Sequence, residues 1–217
     1  MTRKIVAEFV GTALLLAIVV GSGIMGERLA AGNDAVALLG NTLATAAGLY
    51  VLITIFGPVS GAHFNPAVTG VFLARGEIAP ALAAAFAGAQ VVGAVAGVML
   101  AHGMFDLDLL QTSVKVRAGA GQMLGEATAT FGLVLTILGA IRHRPDSVAV
   151  AVGLFITAGY WFTSSTSFAN PAVTLARALT DSFAGIRPAD VFAFIAAQAA
   201  GATLGALAAR YFFPPPR

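Results

Sequence analysis

The stretch Asn65-Pro66-Ala67-Val68-Thr69 recurs 105 positions later as Asn170-Pro171-Ala172-Val173-Thr174. Asparagine is a strong helix N-cap, and proline is favoured at the first helical position because the N–H that it lacks would have no partner there. Each copy is therefore predicted to start a helix. The positive end of the helix dipole is expected at the motif itself.

The composition indicates an integral membrane protein. Hydrophobic residues make up 58% of the 217 residues and charged residues only 10%, whereas soluble domains carry about 25% charged residues. The formal net charge is +2 and no basic run occurs, so the sequence does not support nucleic-acid binding. The chain contains no cysteine, which excludes disulfides.

Six apolar segments are long enough to cross a bilayer, which takes about 20 residues. They cover residues 5–25, 35–56, 79–101, 120–141, 147–164 and 189–212. The two motif segments, near 65–75 and 170–179, reach only half of a hydrocarbon core about 30 Å thick. These patterns predict an all-α membrane protein with six transmembrane helices and two re-entrant half-helices. Polar or small-residue loops, 57–63 and 163–167, lead into the half-helices.

The chain is predicted to form a single channel domain, residues 1–217, built from two repeats, 1–110 and 119–217. Glu8 and Glu126 lie early in the first span of each repeat, and Gln90 and Gln198 lie in the last. Three spans per repeat is an odd number, so the second repeat must be inverted. Inverted repeats with broken helices at their interface are an architecture of membrane transport proteins.

The distribution of basic residues predicts the orientation in the membrane. The cluster Arg142-His143-Arg144 lies in a loop on the same side as the two termini, and the loops on the other side are more acidic. Basic loops stay cytoplasmic. We therefore expect a multi-pass protein with both termini in the cytoplasm, in a bacterial inner membrane.

A pore for neutral solutes must replace the hydrogen bonds of water along a narrow path and must stop ions. Asparagine amides at the two motifs would supply donors, and loop carbonyls would supply acceptors. The two helix N-termini would repel cations. The candidate carbonyls belong to Gly61, Ala62 and His63 in the first loop and to Ser165, Thr166 and Ser167 in the second.

These features resemble the aquaporin and aquaglyceroporin family, and the resemblance covers nearly the whole chain. It implies that two half-helices meet at the membrane centre and that both motif asparagines point into a pore. It also implies a passive homotetrameric channel in which each subunit has its own pore. The implied pore residues are Asn65, Pro66, Ala67, Asn170, Pro171 and Ala172.

In that family four residues nearer the extracellular side set selectivity, and offsets from the motifs carry them onto Thr45, Ala158, Ser167 and Val173. The usual arginine is Val173 here, and no aromatic residue stands at the other positions. The expected constriction is therefore wide and uncharged. This combination resembles the bacterial aquaglyceroporins associated with arsenic resistance, which implies arsenite, methylated trivalent arsenicals and glycerol-like polyols as solutes, with some water.

Glu8 and Glu126 are ionisable groups inside predicted spans, which makes them functional candidates. The family resemblance implies that they brace the broken loops. An ion- or proton-coupled secondary transporter is the alternative function, because these two residues would be available for coupling. A scaffold with an occluded pore is a third possibility.

Arg177 follows Val173 by four residues, so the two share one face of the second half-helix. It is predicted either to replace the missing filter arginine in the outer vestibule, or to bind the last helix carbonyls or Asp181. His63 is predicted to be a wall residue or a loop brace. The sequence has no metal-ligand spacing, nucleophile elbow or phosphate loop, so we expect no cofactor, no metal and no enzymatic activity.

Overall fold

The computed structural model describes residues 1–214; residues 215–217, at the end of the second predicted repeat, lie outside the described residues. Within residues 1–214 the chain forms eight α-helices and one 3-10 turn, Pro145–Ser147, between α5 and α6. The helices are α1 Thr2–Leu29, α2 Asp34–Ser60, α3 Pro66–Ala74, α4 Pro80–Met104, α5 Ala120–His143, α6 Val148–Phe162, α7 Pro171–Arg177 and α8 Pro188–Phe212.

Six helical segments are long and apolar enough to cross a membrane: α1, α2, α4, α5, α8, and α6 together with the 3-10 turn before it, Pro145–Phe162. The predicted all-α fold of six spans and two half-helices is confirmed. One boundary differs. Residues 57–60, predicted as loop, continue α2 although Pro58 lies inside the helix. A proline removes one backbone hydrogen bond but does not have to end a helix. The helix ends at Gly61, whose φ of 95° is in the left-handed region that glycine tolerates.

The third and fourth helices of each half begin in the same way. Pro66 and Pro171 stand at the first turn of α3 and α7, and Pro80 and Pro188 at the first turn of α4 and α8. Proline at that position costs no hydrogen bond and presets the helical φ. The half-helices gain a second start signal from an asparagine cap, described below.

Close backbone contact joins α1 to α4 and α5 to α8. A Cβ atom at Gly97 would overlap the carbonyl oxygen of Ala13, and one at Gly201 would overlap that of Ala127. Glycine is needed at these crossings because the helices touch backbone to backbone. The half-helices fill the space between the two halves, because α3 and α7 each contact both α4 and α8.

The long connection between the halves packs on the segment that follows α7. Ser113 N donates to Ala178 O at 3.0 Å, and Arg187 N donates to Lys115 O at 2.7 Å. The carboxylate of Asp181 accepts from Val114 N at 3.1 Å. These bonds join residues 105–119 to residues 178–187 in a layer that we call the outer cap.

Candidate functional site

A cavity with a free volume of about 110 Å³ runs between the two halves past both Asn-Pro-Ala motifs. Its inner end lies at Ile141 and Val148, and its outer end at Tyr160 and Arg177. One wall is largely aliphatic, with residues such as Leu15, Leu49 and Ile156. Polar side chains line the rest: Thr45, His63, Asn65, Tyr160, Ser167, Asn170 and Arg177.

The two motif asparagines hold the half-helices end to end. Oδ1 of Asn65 accepts from Ala67 N at 2.9 Å, and Oδ1 of Asn170 accepts from Ala172 N at 3.0 Å. These bonds make each asparagine the N-cap of its own half-helix. Each Nδ2 then donates across to the other half.

The cross-links are reciprocal. Nδ2 of Asn65 donates to Ala169 O at 2.7 Å, and Nδ2 of Asn170 donates to Phe64 O at 2.8 Å. A primary amide carries two N–H groups, so one per asparagine remains after this bond. The positive ends of both half-helices therefore meet at one point of the cavity.

The loops before the motifs are held in a strained conformation. Ala62 and Phe64 have φ of 49° and 47°, and Ser167 and Ala169 have φ of 52° and 48°. Non-glycine residues in the left-handed region cost about 1–3 kcal/mol each and persist only where neighbours hold them. The strained positions match pairwise between the two halves.

Glu8 supplies the restraint in the first half. Its carboxylate is fully buried and accepts from His63 N at 3.0 Å and from Phe64 N at 2.7 Å. It also accepts from Ser60 Oγ at 2.6 Å and from Gln90 Nε2 at 2.8 Å. All four donors belong to or touch the first broken loop.

Glu126 does the same in the second half. It accepts from Phe168 N at 2.8 Å, from Ala169 N at 2.9 Å and from Gln198 Nε2 at 2.6 Å, and it is fully buried. Neither Glu8 nor Glu126 is among the residues that line the cavity in the described part of the chain.

Two glutamines and two threonines complete this network, and sequence reasoning assigned them no role. Nε2 of Gln90 also donates to Thr69 Oγ1 at 3.0 Å, and Nε2 of Gln198 donates to Thr174 Oγ1 at 2.8 Å. Each threonine is the fifth residue of the repeated string, and the two glutamines lie at matching positions in α4 and α8. This repetition is the sequence feature from which their role could have been predicted.

Three of the four predicted filter residues lie at the outer part of the cavity. Thr45, Ser167 and Val173 are at most 5% exposed and belong to its lining. Ala158 is exposed and does not line the cavity, so that prediction is wrong. The cavity face of α6 follows the four-residue steps 152, 156 and 160, and Ala158 points away from it.

Tyr160 occupies the place expected of Ala158. Its ring is 4% exposed, and its hydroxyl donates to Thr45 Oγ1 at 3.3 Å. An aromatic ring therefore lines the cavity beside Thr45, where the sequence predicted no aromatic residue. The offset that placed Ala158, twelve residues before Asn170, fails because it assumes a fixed loop length between α6 and Asn170.

Ser165 and Thr166, predicted to line the cavity, do not belong to its lining. The guanidinium of Arg117 binds the Ser165 carbonyl instead. Its Nη1 donates to Ser165 O at 3.1 Å, and its Nε donates to Gly185 O at 2.8 Å. Burial lowers the pKa of Arg117 to about 10, so it remains charged at neutral pH. The sequence contained no sign of this role, because the contact spans 48 residues.

Gly61, Ala62 and His63 all line the cavity on the inner side of the motifs. Nδ1 of His63 lies 3.1 Å from Thr69 Oγ1, and its ring packs on Phe72 with a centroid distance of 4.6 Å. His63 is thus a wall residue that also braces its loop.

Arg177 is 2% exposed and lines the outer end of the cavity. Its Nε donates to Ala184 O, and its guanidinium carbon lies 3.4 Å from the centre of the Phe168 ring. Asp181, one of its two predicted partners, binds Val114 N instead. The carbonyl that Arg177 binds belongs to the outer cap and not to the last turn of α7.

The chain is similar to known proteins along its whole length. The family model described as "Major intrinsic protein" matches residues 1–160 and 141–216. Aquaglyceroporin AqpS of Rhizobium meliloti (strain 1021) is 55% identical over 217 residues, which are 100% of this chain and 93% of that protein. Aquaporin-2 of Rattus norvegicus is 31% identical over 228 residues, with 99% and 80% covered.

A solved structure supports the fold. The X-ray structure of the aquaglyceroporin from Plasmodium falciparum matches with a TM-score of 0.73 over 98% of this chain and 96% of that chain. The sequence identity is 21%, so this likeness bears on the fold alone.

Proposed function

Because the chain belongs to the major intrinsic protein family, we propose that it is a passive transmembrane channel for small uncharged solutes. The observation that carries this proposal is the cavity between the halves, with an aliphatic wall facing a strip of polar groups. Such a path replaces the hydrogen bonds of a solute on one side only. A hydroxylated solute with an apolar face fits it.

The centre of the cavity supports selection for neutral solutes. The N-termini of α3 and α7 meet there and together carry roughly one positive charge. Each motif asparagine has one N–H left for a solute oxygen. A cation that had lost its water would find a positive potential and donors rather than acceptors at this point.

The outer part of the cavity supports passage of solutes larger than water. Val173 follows the second motif directly, and with Thr45 and Ser167 it gives small or medium side chains on three sides. The ring of Tyr160, bonded to Thr45, limits the width. We propose that glycerol-like polyols, arsenite as neutral As(OH)3 and methylated trivalent arsenicals pass, together with some water. The name aquaglyceroporin, which AqpS carries, is in keeping with polyol passage.

The buried acids weigh against the alternative of an ion- or proton-coupled transporter. The carboxylates of Glu8 and Glu126 are fully buried, accept three or four hydrogen bonds each and lie outside the cavity lining. A coupling site has to exchange its ion with the transport path. These two carboxylates instead hold the strained loops.

The proposed cellular setting follows from the same features. Six membrane-crossing helices make this a multi-pass membrane protein. We propose a bacterial inner membrane with both termini in the cytoplasm, which places Arg142, His143 and Arg144 on the cytoplasmic side. We also propose a homotetramer with one pore per subunit, which native mass spectrometry of the purified protein would test.

Stopped-flow light scattering of reconstituted protein tests the channel directly. Proteoliposomes are challenged with gradients of glycerol and urea, and arsenite uptake is measured in parallel. A passive channel gives fluxes that exceed those of empty liposomes and are unchanged by a proton uncoupler. Flux that collapses with the uncoupler would favour the coupled transporter, and swelling equal to empty liposomes would favour an occluded scaffold.

A further inference from the structure

Arg177 sits one helical turn beyond Val173 on the cavity face of α7. Side chains of a helix lean toward its N-terminus, so the guanidinium of Arg177 leans back toward the constriction. Both residues line the same cavity. The charge that is absent at position 173 is therefore present a few ångströms further out.

The guanidinium of Arg177 is anchored without being neutralised. Its Nε binds Ala184 O and its flat face lies on the Phe168 ring. Within residues 1–214 the two ion pairs are Arg75–Glu77 and Arg187–Asp190, and neither involves Arg177. No hydrogen bond from Nη1 or Nη2 to a group in these residues accompanies the Nε bond.

A second group at the same place also lacks a partner. The hydroxyl of Ser167 is buried, lines the cavity and has no hydrogen-bond partner within residues 1–214. A buried hydroxyl without a partner costs free energy unless a ligand or water fills the gap. Gly159 makes room for it, because a Cβ atom there would lie 2.6 Å from Ser167 Oγ.

Arg117 is a second arginine beside Arg177, and it joins the loop before the second motif to the outer cap. It binds the carbonyls of Ser165 and Gly185 and lies 4.8 Å from the centre of the same Phe168 ring. Arg117 thus holds the loop and the outer cap together. Arg177 also binds the outer cap through Nε, but its two terminal nitrogens make no hydrogen bond within residues 1–214, and the residue lines the cavity.

We propose that Arg177 and Ser167 form a cationic donor site at the outer end of the cavity, which binds a hydroxyl or oxo oxygen of a passing solute and excludes inorganic cations. The site rests on the proposed function, because it acts on solutes that traverse the cavity. Its guanidinium offers forked donors, and Ser167 offers a third. The positive charge repels a cation before it reaches the half-helices.

The test compares potassium leak and glycerol flux in the same proteoliposomes. In Arg177→Gln, which removes the charge but keeps a donor for Ala184 O, potassium leak should rise roughly tenfold or more. Arg177→Lys keeps the charge and should keep the leak at the wild-type level, while glycerol flux falls because the fork is lost. Arg28→Gln is the matched control; Arg28 binds Phe105 O on the same side of the protein, away from the cavity.

Ser167→Ala is a second, milder variant that keeps the proposal testable if Arg177→Gln does not fold. It should lower the ratio of glycerol to water flux without raising potassium leak. The proposal is overturned if folded Arg177→Gln shows the wild-type leak, or if Ser167→Ala leaves the flux ratio unchanged. Wild-type protein that passes no glycerol would refute the proposed function instead. The comparison of potassium leak between wild type and Arg177→Gln would still test whether Arg177 excludes cations.

Discussion

At the scale of single residues, we expect Val173 to set the width of the outer part of the cavity. It is 5% exposed and lies beside Thr45 and Ser167 in the cavity lining. Val173→Arg would add a charged fork next to Arg177. We expect glycerol and arsenite flux to fall roughly tenfold or more, because a site filled by a larger side chain discriminates strongly by size, while water flux survives.

Stopped-flow measurements on the same vesicles give both fluxes. Val173→Leu is the control, since it adds volume without charge and should reduce glycerol flux less. Unchanged glycerol flux in folded Val173→Arg would contradict the assignment of Val173 to the constriction.

Glu126 restrains a strained loop through its hydrogen bonds rather than through its charge. Glu126→Gln keeps one carbonyl acceptor for the loop but sets its NH2 group against a donor, so it should retain more of the flux than Glu126→Ala. Glu126→Ala leaves the N–H groups of Phe168 and Ala169 buried without an acceptor, which costs about 1–3 kcal/mol for each. The alanine variant should therefore show both a lower melting temperature and lower flux.

Glu8 offers the same comparison in the other half, with His63 N and Phe64 N as the donors. Abolished flux in a folded Glu126→Gln protein, with a normal melting temperature, would favour a role of the ionised carboxylate in coupling.

At the scale of elements, the crossings of α1 with α4 and of α5 with α8 require glycine. Gly97→Ala should destabilise the protein by about 1–3 kcal/mol, because its Cβ would overlap the backbone of α1. Gly88 lies in the same helix with nothing within 4 Å of its would-be Cβ. Gly88→Ala should be neutral or slightly stabilising.

Thermal unfolding in detergent, followed by circular dichroism, measures the difference between the two variants. Equal melting temperatures for Gly97→Ala and Gly88→Ala would show that α1 and α4 can move apart slightly without loss of stability.

At the scale of the whole molecule, the outer cap ties the two halves together and contains a lysine with an unusual titration. Nζ of Lys115 donates to Phe183 O at 2.8 Å, and burial, with Arg117 and Arg177 nearby, lowers the pKa of Lys115 from 10.5 to about 8. Between these values the folded chain binds fewer protons than the unfolded chain. Stability should therefore rise with pH through this window.

The melting temperature at pH 7 and at pH 9.5 tests this expectation. Below about pH 8 Lys115 is charged in both states and its unfavourable contribution is constant. Lys115→Met should be more stable than wild type at pH 7. Its melting temperature should rise less than that of wild type between pH 7 and pH 9.5. An identical pH response in the two proteins would exclude Lys115 as the source.

The sequence determined the elements that depend on local chemistry. Asparagine followed by proline favours a helix start, about twenty apolar residues in a row favour a membrane span, and an odd number of spans per repeat inverts the second half. These rules were enough for the six spans and the two half-helices, and the repeated motif carried the resemblance to the family. They also placed Val173 beside the second motif, because it follows that motif directly.

Only the tertiary structure decided which side chains surround the cavity. Tyr160 rather than Ala158 faces it, because the length of the loop after α6 sets the helix rotation. Arg117 reaches Ser165 across 48 residues, and Arg177 finds Ala184 O rather than Asp181. Such choices depend on how distant segments pack and on which buried polar groups find partners, and no local pattern in the chain records either.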